Sequence, residues 1–171
     1  MNPMRQIRLE KVTLNVGAGK DQAQLEKGIR LLKNITGIDP VKTKTKRRIP
    51  EWGLRPGLPI GCKITLRKGA AAELLKRLMA SKENTLLRRQ FDSSGNVSFG
   101  IPEYIDIADA KYDPKVGVMG LEVAVTLERP GFRVKRRKNG SRVGKRHQIT
   151  QEDAIEFMKK EFSLKLKEEE E

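Results

Sequence analysis

Two glycines around an alanine, one histidine, one cysteine and two dense runs of lysine and arginine are the residues here whose types and spacing could carry chemistry. Gly17-Ala18-Gly19 falls between an alternating apolar segment and a helical pattern, a place where phosphate-binding loops occur. The dinucleotide fingerprint would need its third glycine at position 22, where Gln22 stands. The P-loop pattern needs Ser or Thr after its lysine, and Asp21 follows Lys20. A tight structural turn is the better reading. His147 sits inside a basic run without the acid–base partner or metal ligands that catalysis requires, so it reads as a surface or RNA-facing side chain. Cys62 alternates with Ile60 and Ile64 and reads as a buried thiol. As the single cysteine it allows no internal disulfide, which fits a reducing compartment. These residues lead to the expectation of no enzyme, no cofactor and no metal.

The basic runs are different. Lysine and arginine number 36 against 22 acidic residues, a formal net charge of +14 that attracts a polyanion. In the first run, Lys42, Lys44 and Lys46 alternate with Val41, Thr43 and Thr45, and Arg47 and Arg48 follow. An extended chain would space those lysines about 6.6 to 6.8 Å apart on one face, the scale of successive phosphates along a nucleic acid. Lysines on an edge strand can also serve only to block aggregation. Lys63 and Arg67 on the expected partner strand favour RNA. The second run, Arg133, Lys135, Arg136, Arg137 and Lys138, continues to Arg142, Lys145 and Arg146. It could be a solvated loop or a localisation-like tract, but so much like charge repels itself unless a polyanion neutralises it, which favours an RNA contact. Trp52, beside Pro50, either stacks on a base or ribose or pins its loop down. No stretch approaches the roughly 18 apolar residues of a membrane span, and no secretory signal is visible behind Met1. A cytosolic RNA binder without a membrane role is the expectation.

The elements that must position these groups follow from periodicity. Ile7 to Val16 reads as a strand whose alternation changes phase near Glu10-Lys11, as a bulge or a division into two short segments would cause. Leu25, Ile29, Leu32 and Ile35 recur at helical spacing between Asp21 and Thr36, with Gly37 suited to end the helix. Val41–Thr45 and Ile60–Arg67 read as strands of a long hairpin around the turn-rich segment 50–59. A helix is expected over 70–80, a short strand over 97–101 and another over 121–127. Lys138-Asn139-Gly140 is a hairpin-turn signal, and Thr150 with Asp153 resembles a capping box opening a helix through Phe162. Hydrophobic residues at 37% suffice for one core. The expected organisation is α+β, a largely antiparallel sheet with helices on one face. It comprises a single domain over 1–164 and a solvated acidic tail over 165–171.

Segments spread over nearly the whole chain resemble a known family. Ile7-Arg-Leu-Glu-Lys-Val-Thr-Leu-Asn-Val-Gly-Ala-Gly19, Gly37-x-x-Pro40, Lys44-Thr-Lys46 and Arg55-Pro-Gly57-x-Pro-Ile-Gly61-x-Lys63-x-Thr65-Leu-Arg67 come first. Phe91-Asp-x-x-Gly95-Asn96, Phe99-Gly-Ile-x-Glu103 and Gly120-Leu121 continue the order. Together they resemble ribosomal protein five of the large subunit, the universal 5S ribosomal RNA-binding family. The segment from Arg129 to His147 and the helix after it are similar to the archaeal and eukaryotic branch, and the lack of an extended tail favours the archaeal one. The resemblance implies a cytoplasmic, ribosome-bound protein with RNA on the concave face of its sheet. Its implied partners are 5S ribosomal RNA, large-subunit ribosomal RNA, P-site transfer RNA and neighbouring ribosomal proteins of the central protuberance. It further implies 5S RNA contacts at Asn15 and Thr65, an aromatic contact at Trp52, and a transfer-RNA-reaching loop of Trp52, Gly53, Leu54, Arg55 and Gly57. Ile38 departs from the bacterial pattern, where a polar residue contacts RNA, so that contact does not carry over.

Overall fold

In the computed structural model, which describes residues 2–108 and 110–167, the first alternation becomes β1 (Arg8–Gly17). Val12, Leu14 and Val16 are buried there, and Thr13 and Asn15 are half-exposed between them. Asp21 caps α1 (Gln22–Thr36) by accepting from the amides of Ala23 and Gln24 at 2.8 and 3.4 Å. Gly37 ends that helix at φ 71°, a left-handed conformation that glycine adopts without strain. β2 (Val41–Lys44) and β3 (Pro59–Arg67) pair antiparallel as the expected hairpin. α2 (Lys68–Ala80), β4 (Thr85–Leu87), β5 (Val97–Ile101) and β6 (Leu121–Glu128) follow. The reciprocal hydrogen bonds of Thr150 and Asp153 then open α3 (Gln151–Phe162). The expected α+β class is realised as an antiparallel sheet in the order β2-β3-β1-β6-β5, with three helices among the described residues.

The residues gather into two compact units. Thr13–Leu66 with Phe99–Ala124 form one of them. In it α1 lies directly on the sheet: a Cβ at Gly28 would stand 2.9 Å from Val16 Cγ1 and 3.1 Å from Cys62 Sγ. That contact explains a departure from the expected helix stripe. Gly28 and Leu31 join Leu25, Leu32 and Ile35 in the interior, and Ile29 stays half-exposed. Where the glycine touches the strands, the buried stripe centres on it.

Met1–Val12, Arg67–Ser98 and Val125–Glu171 form the other unit. Its core includes Leu75, Leu78 and Met79 of α2, Leu86 of β4, Ile149, and Met158 of α3, each at most 2% exposed. Gly95 closes a turn at φ 77°, and a Cβ there would meet Ile149 Cγ2 at 2.4 Å. Left-handed strain and overpacking act together at this position, so Gly95→Ala should cost about 2–4 kcal/mol. The check is a urea denaturation curve, and an unshifted midpoint would mean that Ile149 steps aside without cost.

Two expectations need correction. The solvated tail expected from residue 165 is in part a strand: β7 (Lys165–Lys167) pairs parallel with β4, led in by buried Leu164. Leu164 and Leu166 alternate with Lys165 and Lys167, a two-residue period too short to stand out in a charged terminus. Residues 168–171 of that expected tail lie outside the described residues. The Lys138-Asn139-Gly140 signal does not close a β-hairpin, since no strand flanks it among the described residues. A hairpin turn needs alternating apolar residues on both sides to bury, and here the flanks are charged.

Candidate nucleic-acid interface

In the unit of Thr13–Leu66 and Phe99–Ala124, strand alternation separates two kinds of side chain. Val16 and Cys62 face α1, and the opposite parity of the same strands carries Thr13, Asn15, Lys63 and Thr65. The Thr13 and Thr65 hydroxyl oxygens are 3.4 Å apart. Asn15 Nδ2 donates to Glu122 Oε2 at 3.1 Å. The result is a patch of neutral donors and acceptors beside the exposed Lys63. The expectation that Asn15 and Thr65 stand opposite the apolar residues of their strands agrees with this arrangement.

Along the first basic run Lys42, Lys44 and Lys46 are exposed, with half-exposed Thr43 and buried Thr45 between them. Lys42 pairs with Cys62, and Val41 pairs with Lys63. Directly paired residues share a face, so Lys42 is on the helix side of the hairpin and Lys63 on the other. The register then shifts between Thr43 and Lys44, and the strand ends at Lys44. The extra residue, Ile60, is on β3. Lys44, Lys46, Arg47 and Arg48 are all exposed, the last three in the loop beyond the strand.

Thr45, only 9% exposed, organises that loop. Its amide donates to Leu58 O at 2.9 Å, its carbonyl accepts from the Gly57 amide at 2.9 Å, and its hydroxyl donates to Arg55 O. Ile49 and Leu54 exchange backbone hydrogen bonds of 3.1 and 3.0 Å around the turn Pro50–Trp52. Leu54 is 3% exposed and Trp52 is 66% exposed. The loop thus closes on Leu54, and most of the Trp52 ring is open to solvent. Leu54, expected among the contacting residues, is too buried to touch a partner. Gly53, Arg55 and Gly57 remain exposed beside Trp52.

The glycine turn is occupied by backbone. The amides of Ala18 and Gly19 donate to Ile60 O at 2.9 and 3.0 Å. The Asp21 carboxylate takes the first free amides of α1. A phosphate would find those donors already committed.

The second basic run belongs to the other unit, where Arg67 is also exposed. Arg133, Lys135, Arg137 and Lys138 are exposed, but Arg136 is used internally. It pairs with Glu10 and, at 3.1 Å, with Glu128, whose other oxygen accepts from Arg8 Nε at 2.9 Å. The side chains of Glu10 and Glu128 are only 13% and 11% exposed, and Arg136 neutralises carboxylates that would be costly to bury alone. Glu10 could have been found in the sequence, because it shares the parity of Val12, Leu14 and Val16 where the alternation falters. His147 Nε2 is 2.8 Å from Pro130 O, and its ring meets Phe132 edge-on with centroids 5.7 Å apart. Lys135 Nζ lies 4.9 Å from the Phe132 ring centre. His147 thus braces the loop it was expected to decorate.

Arg129, 8% exposed, donates to Gln148 O and to Asp153 Oδ2, each at 3.0 Å. Burial pushes the Asp153 carboxyl up, but hydrogen bonds from Thr150 and the charge of Arg129 outweigh it and leave the group below its ordinary range. Burial pushes the Cys62 thiol up to about 11, so it stays protonated and inert. Among the described residues no cluster of His, Cys, Asp or Glu could hold a metal, and no helix is long and apolar enough to cross a membrane.

Comparison with known proteins gives concordant matches along the chain. The family model for ribosomal protein L5 matches residues 2–55, and the model for the C-terminus of the same ribosomal protein family matches residues 59–157. Large ribosomal subunit protein uL5 of Sulfurisphaera tokodaii is 46% identical over 166 residues, covering 96% of this chain and 94% of its own. The protein of that name from Nanoarchaeum equitans is 46% identical over 166 residues, with 96% and 98% covered. That from Nitrosopumilus maritimus is 45% identical over 164 residues, with 95% of each covered.

Proposed function

Since the chain belongs to the L5 family of large-subunit ribosomal proteins, a cytoplasmic ribosomal constituent and not an enzyme, we propose that it binds 5S ribosomal RNA. In this reading it docks that RNA to large-subunit ribosomal RNA at the central protuberance, beside neighbouring ribosomal proteins. The loop carrying Trp52, Gly53, Arg55 and Gly57 touches P-site transfer RNA.

The observation that carries the reading is the sheet face of Thr13, Asn15, Lys63 and Thr65, which α1 leaves uncovered. Lysine and arginine hold phosphates without regard to sequence, so neutral groups must supply recognition. Asn15, steadied by Glu122, keeps its carbonyl oxygen for a ribose 2′-hydroxyl, and the Thr13–Thr65 pair offers hydroxyls that donate or accept. Exposed Lys44, Lys46, Arg47 and Arg48 supply the electrostatic component from the adjoining loop. Trp52, 66% exposed, offers a flat face to a base or ribose.

The deciding experiment is a salt titration of binding to 5S ribosomal RNA, with transfer RNA and a plain RNA duplex as competitors. Preference for 5S RNA that persists at high salt supports the reading. Equal binding to all three that disappears together as salt rises would make the chain a general polyanion binder. Within the same assay, Asn15→Ala combined with Thr65→Ala should cut the preference for 5S RNA about tenfold, the scale of two lost hydrogen bonds. The salt slope should stay as it was. A lower slope with intact preference would move both residues out of the recognition role.

A further inference from the structure

A second cationic feature lies away from both basic runs. Arg88, Arg89, Lys159, Lys165 and Lys167 converge on a groove of about 810 Å³ contained within one unit. Among the described residues lining it there is no carboxylate. We propose that this groove binds a second RNA segment by its phosphodiester backbone, distinct from the RNA taken by the Lys63–Thr65 face. The proposal rests on the reading of the chain as a ribosomal RNA binder and names where a further strand of RNA is gripped.

The groove is built from ordered parts. The Lys165 amide donates to Asn84 O at 2.7 Å, and the pairs Thr85–Lys165, Leu86–Leu166 and Leu87–Lys167 set the register of β7. Leu86 is 2% exposed and Leu166 is half-buried, so the strand is seated through its leucine and presents a lysine on either side of it. Those two lysines repeat every second residue of a parallel strand, about 6.6 Å apart, which suits consecutive phosphates. Gln151 Nε2 donates to the carbonyls of Arg88 and Phe91, both at 3.0 Å, and so ties the first turn of α3 to the turn bearing the arginines. The Glu152 carboxylate stands 4.0 Å from Arg88, and with side chains 66% and 85% exposed the pair neutralises little.

The groove suits RNA better than an acidic protein segment. A protein anchor would need an aromatic or aliphatic pocket at its centre. Here the apolar lining is Leu164, already 5% exposed, and Leu166, already seated against β4. What remains available is spaced positive charge, which serves a polyphosphate backbone.

The test uses the full chain saturated with 5S ribosomal RNA and then titrated with a fluorescent plain RNA duplex. Lysine acetylation footprinting on the same complexes locates the contact. Protection of Lys165 and Lys167 by the duplex is expected. The combined variant Lys159→Ala, Lys165→Ala, Lys167→Ala should bind the duplex about tenfold more weakly, with a salt slope lower by about two units. Its affinity for 5S RNA should not change. Arginine at positions 165 and 167 should restore duplex binding, which separates charge loss from misfolding. Unchanged duplex affinity, absent protection, or protection by polyglutamate alone would overturn the proposal. If the wild type fails to prefer 5S RNA, the proposed function falls, and the duplex footprint still reads the groove separately.

Discussion

Replacing Lys44, Lys46, Arg47 and Arg48 together by alanine is expected to weaken 5S ribosomal RNA binding by about 10²- to 10³-fold, flattening the slope of log affinity against log salt by about three units. The estimate follows from counterion release, which contributes about 0.7 to 0.9 of slope for each phosphate neutralised. All four side chains are exposed, and the loop beside them is braced by Thr45, Leu54 and backbone hydrogen bonds that the variant leaves intact. The loss therefore reports on electrostatics and not on folding. Lys42→Ala is the internal control: it lies on the face of Cys62, and its removal should leave the slope unchanged. A slope unchanged in the fourfold variant would remove this loop from the RNA-binding surface. Arg136 is unsuitable for such a test, because its loss would take the nearest cation from the mostly buried Glu10 and leave Glu128 with Arg8 alone.

Asp153→Ala is expected to cost about 3 kcal/mol of stability, which for a chain of this size lowers Tm by roughly 6–12 °C. Two losses combine. Arg129, whose side chain is 10% exposed, is left without its carboxylate, and Thr150 loses its partner at the start of α3. Asn at the same position keeps much of the cap and should cost less. The pH dependence has a definite sign. The folded carboxyl sits below its ordinary value of 3.8, because the hydrogen bonds and the charge of Arg129 overcome the effect of burial. Its contribution is therefore complete above that value and is lost as pH falls through the folded one. Thermal melts should show a constant gap between wild type and variant at neutral pH, closing in acid below about 3.8. A gap of the same size at low pH would mean that packing, not the ion pair, explains the cost.

The strand pairing illustrates how far local rules reach. Alternation is enough to assign β1, β3 and β6, because each side chain's neighbours on its own strand decide its face. Yet the hairpin register, even in two strands that each alternate regularly, skips Ile60, since Thr43 pairs with Gly61 and Lys44 with Pro59. The skipped residue is a property of the pairing, to which no single strand testifies. Trp52 and Leu54 make the same point: the larger side chain is exposed, and the loop closes on the smaller one.

By itself the sequence determined the net charge, the α+β class, the limits of α1 from Asp21 and Gly37, the cap at Thr150 and the burial of Cys62. It also carried enough ordered motifs to reveal the family. Each of these depends on residue type or on residues within a few positions of one another. The tertiary structure alone decided that Arg136 serves Glu10 across 126 positions and Arg8 serves Glu128 across 120. It likewise decided that the last described residues pair with β4 and complete a basic groove. Those outcomes rest on contacts between distant segments, and such contacts are selected by the packing of the whole chain, which no local pattern encodes.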